Sequence, residues 1–478
     1  MPTLACDRCH RMKERCHRNT SNQDCCTRCM RFGHECTIQR VVLKRGRRSR
    51  ANSHSGSRQF VWLKPQEPVH SKLEVLSSAD CILSAGSTPI GFVVSSPYSS
   101  LENHLSGPNR LSDEALLTYM RSTEDFSTYF ILVPTFSADF KSLGQARFSA
   151  FPDLIREGCL ACAGAVLQAR SQQSGFDDAH FARSAVGLRK LQSRDGWRED
   201  VGAFLTLGLT LATFELITSG SSANGVVRFT LSSIRDLYSS IWLDDDLDSE
   251  ILSLIFMDTI DCLLRRQVPV LRYRPRDCHL VHRLFGLCAS LLPIMYEICQ
   301  LAADARRRCQ LPHQLNPILF DHLIELVASW QPQPPADLSS RFSPTEATCL
   351  LSQAEGFKTA LFLVLHRLQY PLGTEDHAAA SLANEILSGC ATCSTELGEE
   401  GKLPRTLFPW MVAAFEIIAP EERDILLRME LPRSREILRL PTAKLKECVQ
   451  LVWAMRDAGQ AVFLFDILEQ APTYLVPL

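Results

Sequence analysis

"CDRCHRMKERC", residues 6–16, and "CTRCMRFGHEC", residues 26–36, carry one spacing twice, C-x2-C-x6-C. The first copy places Cys6, Cys9 and Cys16, and the second places Cys26, Cys29 and Cys36. Zinc takes four tetrahedral ligands, so two separate ions need eight. Six thiolates serve two Zn2+ ions only when two of them are shared, and a duplicated motif can share them symmetrically. Each C-x2-C turn sets two sulfurs at the start of a short helix, and the third cysteine returns after the helix to close the site. The residual negative charge of such a cluster is offset by the arginines and lysines around it. Cys25 adjoins Cys26, and its use would turn the second spacing into C-x3-C and break the repeat, so it receives no ligand role. His10, His17 and His34 read as surface or phosphate-facing residues.

Charge follows the cysteines. The 478-residue chain has a net charge of −2, yet residues 1–50 hold 13 Lys and Arg against 4 Asp and Glu. A +9 head therefore precedes a −11 remainder. This asymmetry is expected of a nucleic-acid-binding arm joined to a protein-binding body. Seven of the 19 cysteines also lie in the first fifty residues. No apolar signal core precedes Cys6, so reduced thiols and metal binding are expected rather than disulfides. At 45% hydrophobic and 22% charged the composition is that of a globular protein. No membrane partner is expected, because no stretch reaches about 18 uninterrupted apolar residues. The nearest, "AFLTLGLTLATFELI" at 203–217, reads as a buried helix.

The paired motif, joined by the nine-residue loop "HRNTSNQDC", resembles the fungal Zn2Cys6 (binuclear zinc cluster) DNA-binding domain. That resemblance implies two Zn2+ ions bridged by Cys6 and Cys26, with Cys9, Cys16, Cys29 and Cys36 as terminal ligands. The loop departs from many members in lacking a proline.

"HRMKER" lies between Cys9 and Cys16, and "MRFGHE" is its counterpart, with Gly33 where the first half has Lys13. Arg8 pairs with Arg28 and Arg11 with Arg31, so the halves share a scaffold while only the first has a long cation at the helix tip. One half is therefore expected in the major groove and the other on the backbone. The resemblance assigns Lys13 to the guanines of a CGG triplet, whose O6 and N7 are both acceptors. Arg8, Arg11, Arg15 and Arg18 are read as phosphate contacts, which supply affinity and salt dependence.

Lys44, Arg45, Arg47, Arg48 and Arg50 form a basic run that reads as a nuclear import signal, as an extra DNA contact, or as both. Residues 51–110 contain 13 serines and read as a mostly flexible linker, with "FVWLKP" at 60–65 as a candidate short ordered contact. They show no run of three heptads with apolar a and d positions, so a monomer and a homodimer formed through the body both stay open.

From about 111 the texture becomes helical. "SPTEATCLLSQAEGFKTALFLVLHRLQYP" offers Ser343 as N-cap, Pro344 at N1 and Glu346 at N3, and ends before Pro371. A second helix is expected from Thr374 to Gly389, and another ends with Gly220 as C-cap. Residues 280–308 repeat apolar positions through Pro293, where a kink is expected. "WLDDDLDSEILSLIFMD", 242–258, reads either as an acidic activation segment or as a helix whose Asp-rich start precedes core residues. The order of segments resembles the fungal-specific transcription factor regulatory domain, through "LTLATFELITSG" (209–220), "HRLFGLCASLLPIMYEICQLA" (282–302), "FPWMVAAFEIIAPEERDILL" (408–427) and "VWAMRDAG" (452–459).

The body carries no G-x-S-x-G, H-E-x-x-H or P-loop motif, and no enzyme is expected. "CLAC" (159–162) and "CATC" (390–393) read as buried structural cysteines in helices. The architecture expected is a small metal-stabilised Zn2Cys6 domain (1–40), a basic tail and flexible linker (41–110) and a large, mostly α-helical domain (111–478). What the resemblance implies is a nuclear regulator of RNA polymerase II genes. It would bind double-stranded DNA at CGG-containing promoter sites and engage transcription machinery or co-regulators. Similarity to regulators of secondary-metabolite clusters makes pathway-specific activation the preferred role. A zinc module docking protein or RNA is the alternative.

Overall fold

The computed structural model describes Cys16, Cys26, Cys29 and Cys36 and, short gaps apart, residues 112–470. The chain divides into two units, Met1–Gly91 and Phe92–Leu478. Among the described residues the second unit is built of helices, with an isolated bridge between His282 and Gly286 and no strand.

Its first half contains α1 (Asp113–Ser122), α2 (Ser137–Ala150), α3 (Pro152–Arg170), α4 (Asp178–Gln192), α5 (Val201–Ser219) and α6 (Asn224–Ile234). α5 is apolar on nearly every face, which requires burial rather than amphipathic docking. It packs against α3, α4 and α6, with Phe204, Leu205, Leu207 and Leu211 buried. Asp200 caps its start by accepting from the Ala203 N–H at 2.8 Å. Gly220 ends it at φ +61°, and Leu440 closes over the place a side chain would need.

The second half contains α7 (Asp248–Arg265), α8 (Leu292–Arg307), α9 (Pro317–Ser329), α10 (Pro344–Gln369), α11 (Asp376–Glu396), α12 (Leu407–Ala414), α13 (Pro420–Arg428), α14 (Arg439–Asp457) and α15 (Leu464–Gln470). α10 is the central pillar, packed on α11 and α12 and touching α9 and α15. Its expected capping box is present: the Glu346 N–H donates to Ser343 Oγ, and the Ser343 N–H donates to Glu346 Oε2 at 2.9 Å. Glu346 also accepts from the Thr135 N–H and hydroxyl, so one carboxylate closes a helix and anchors a distant turn. Burial opposes its ionisation, but these N–H and O–H donors outweigh that and hold its carboxyl below the usual range.

A buried ionic knot ties the second half together. Arg367 on α10 is fully buried and grips Glu416 through two hydrogen bonds of 2.8 and 2.6 Å. It also reaches Asp376 at 2.7 Å and the carbonyls of Pro371 and Thr374. Arg456 of α14 meets Glu416 at 2.6 Å from the other side. Burial would lower the Arg367 guanidinium, and its bonds to Glu416 and Asp376 reverse this and raise it. A buried charge is tolerable only when satisfied in this manner.

Two expectations are corrected, and a third, left between two readings, is decided. The 280–308 segment is not one helix kinked at Pro293. Residues 282–286 form a bridged turn with Gly286 at φ +55°, a 3-10 turn follows at Leu287–Leu291, and α8 starts at Leu292 with Pro293 in its first turn. Proline is free of strain there because its missing N–H has no partner to lose. The helix expected to stop at Gly389 runs on to Glu396, since an isolated glycine costs only about 1 kcal/mol and α11 stays packed against α10. Of the two readings of 242–258, the helix with core residues holds for the described part. α7 starts at Asp248, and Ile251, Leu252, Leu254, Ile255, Phe256 and Met257 are all buried, which removes them from a partner's reach, while residues 242–247 lie outside the described residues.

Two segments, Val201–Ser219 and Leu287–Arg307, are long and apolar enough to cross a membrane, but 61% of each window is buried inside the helical unit. Both act as core. Cys159 and Cys162 are buried on α3, and burial pushes the Cys159 thiol up to about 12, so it stays protonated. Cys390 and Cys393 are half-buried on α11.

Candidate metal and nucleic-acid site

Cys26 and Cys29 are fully buried, and half-buried Cys16 and Cys36 pack against them. The sulfurs of Cys26, Cys29 and Cys36 all lie within 4.8 Å of one another. Ligands of a tetrahedral zinc at about 2.3 Å stand about 3.8 Å apart, so a small contraction would bring this trio into place. None of the four described cysteines of this cluster is in a disulfide.

Backbone geometry prepares the sulfurs as well. The Cys29 N–H donates to Cys26 Sγ at 3.4 Å, which is the C-x2-C turn closing on its own first sulfur. The Cys26 N–H donates to Cys36 Sγ at 3.2 Å. N–H donors aimed at sulfur favour the thiolate, the form a metal ligates. These donors were not foreseen, because the C-x2-C-x6-C spacing reports side chains and not where backbone amides point. The donor set is all sulfur, sequestered and amide-supported, and it fits a structural zinc ion.

Cys6 and Cys9, the candidate DNA-contacting Lys13, Arg8, Arg11, Arg15 and Arg18, and the basic run Lys44, Arg45, Arg47, Arg48 and Arg50 lie outside the described residues. So do Cys25, the linker and "FVWLKP". Of the expected ligands, the structure thus brings together three from the second half-motif and sets Cys16 beside them.

The family model for the fungal specific transcription factor domain matches residues 129–470, more than half of the chain and nearly the whole helical unit. The chain belongs to this family. Comparison with curated proteins and with solved structures returns no match. By family membership the protein is a transcription regulator, with a mostly helical domain following a cysteine-cluster region consistent with a Zn2Cys6 head.

Proposed function

We propose that this regulator binds DNA through a binuclear zinc head comprising residues 1–40, joined by residues 41–110 to the helical domain at 111–478. The observation that carries the reading is the gathering of Cys26, Cys29 and Cys36 with Cys16 alongside. By the resemblance to Zn2Cys6 domains, Cys26 is a bridging ligand. Cys29 and Cys36 are terminal ligands of one ion, Cys9 and Cys16 of the other, and Cys6 is the second bridge. Bound zinc would supply structure: with every coordination place taken by sulfur, it has no open position for substrate.

In this reading the head enters the nucleus, aided by the basic run at 44–50, and recognises CGG-containing promoter sites of RNA polymerase II genes. Lys13 reads guanine, and Arg8, Arg11, Arg15 and Arg18 hold phosphates. The helical domain passes the outcome to transcription machinery or co-regulators, and pathway-specific activation of a secondary-metabolite gene cluster is the favoured biological role. Gel-shift titration on CGG probes against scrambled duplex and RNA competitor tests it. The wild type is expected to prefer CGG duplex, and Lys13→Ala to lose about 1–3 kcal/mol of that preference. Equal binding to RNA, or an unchanged preference in Lys13→Ala, would contradict the assignment.

A further inference from the structure

The helical domain holds a cavity of about 180 Å³ between α1, α2, α3 and α5 of its first half and α7 of its second. Two of its walls are built against the usual rule. α2 buries none of its residues, yet Phe140, Leu143 and Phe148 from that helix line the void. Phe140 and Phe148 also pack against the edge of the main core, so the apolar side of α2 is shared between that core and the void. The opposite wall is α5, the most apolar helix in the first half, and it presents Thr206, Thr210 and Thr213. These positions recur at helical spacing and share one face. The polar stripe of a core helix therefore faces the cavity and not the solvent.

The hydroxyls differ in what they do. Thr210 and Thr213 donate to the carbonyls of Thr206 and Leu209 at 2.7 and 2.9 Å. The Thr206 hydroxyl is shielded from solvent and has no hydrogen-bond partner among the described residues. A polar atom in that state costs free energy unless something enters to meet it.

Charge supplies the remaining specification. Arg283 lies in the wall with its guanidinium 4.9 Å from the Phe140 ring centre, committed to the Phe130 carbonyl and to Ser249 and Ser253. Glu250 is the one carboxylate among the described lining residues. Arg121 and Lys141 also line the cavity, Arg121 exposed and Lys141 half-buried. Arg121 lies 5.2 Å over Phe148, so a cation borders an aromatic wall. The lining is thus apolar and aromatic, with a surplus of positive charge and an open hydroxyl.

We propose that this cavity is a binding site for a small organic carboxylate with a one- or two-ring or short alkyl body. The body would fill the space between Phe140, Phe148 and Leu209. The carboxylate would be met by Arg121 and Lys141, and Thr206 would donate to the ligand. The volume suits this class, since an engineered apolar cavity of about 150 Å³ takes up benzene. The proposal stands on the helical unit alone and is independent of the zinc reading.

The test is calorimetric titration of the full zinc-loaded chain with benzoate, 2-naphthoate and octanoate, alongside neutral 2-naphthamide. At least one carboxylate is expected to bind with one-to-one stoichiometry. Thr210→Phe and, separately, Leu143→Trp fill the space from opposite walls and are expected to abolish that binding while thermal unfolding shows the domain intact. The double variant Arg121→Ala, Lys141→Ala is expected to weaken the carboxylate about tenfold or more and to leave the amide unchanged. No binding of any carboxylate at millimolar concentration, or equal binding to the wild type and a folded cavity-filling variant, would overturn the proposal.

Discussion

Around Cys26 and Cys29, burial is shared with two further cysteines and two N–H···S contacts. Around Phe357 and Phe408, stacked with ring centres 5.7 Å apart, burial comes from a contiguous core reaching from Ile131 to Leu468. What the described residues of the cysteine region share is a donor set for metal. The helical region carries its own apolar core and holds buried charge in ion pairs such as Arg228–Asp258 and Arg265–Asp261 and, most densely, in the knot around Arg367. The two should therefore answer to different perturbations, and each perturbation below is chosen to move one without the other.

The largest separation is expected from chelation. Metal binding and folding are one equilibrium in small zinc modules, with apparent free energies of about 10–16 kcal/mol. Excess chelator should abolish DNA binding and expose the amides of residues 6–36 to hydrogen exchange. Protection in α5 and α10 should be unchanged. Loss of protection throughout the chain would show that the helical domain depends on the metal too.

Arg367→Met should do the reverse. Removing one partner from a buried charge cluster costs about 3–5 kcal/mol, here by leaving Glu416 and Asp376 with Arg456 as their remaining guanidinium. Denaturant titration followed by far-ultraviolet dichroism reads that loss, and zinc content per chain should not change. A variant as stable as the parent would mean the knot contributes no net stability.

A smaller effect is expected from pH. His282 is buried, accepts from the Leu284 N–H at Nδ1 and donates from Nε2 to the Ser249 carbonyl, so it is held as the neutral ring. Burial first, and the neighbouring Arg283 second, push it down to about 3 from the usual 6.5. The unfolded chain then binds a proton that the folded chain refuses. Stability is complete above about pH 6.5 and falls as the solution is acidified, with a slope approaching about 1.4 kcal/mol per pH unit from this group. His282→Gln should flatten the profile between pH 6.5 and 4. An unaltered slope would assign the acid sensitivity to other groups.

How much was legible in the sequence follows from how local each signal is. The gathering of Cys26, Cys29 and Cys36 was readable because the three lie within ten residues of one another. The Ser343–Glu346 box was readable because both partners lie in one turn. The end of α11 was misread at Gly389 because packing against α10 carries the helix through a residue that propensity alone would stop at. Pro293 was misread because a proline that starts a helix and one that kinks it look alike without the Gly286 turn before it. The Arg367 knot joins residues 367, 376, 416 and 456, and no periodicity links them. Thr206, Thr210 and Thr213 had a visible helical spacing, but only the neighbouring walls show that this face meets a cavity.

Zinc stoichiometry tests the central claim most directly. Elemental analysis of the folded full-length chain, with protein measured by amino-acid analysis, should return two zinc ions per chain, and Cys26→Ser, which removes a bridging sulfur, should lower that number. A ratio near one or zero in well-folded wild-type material would contradict the account.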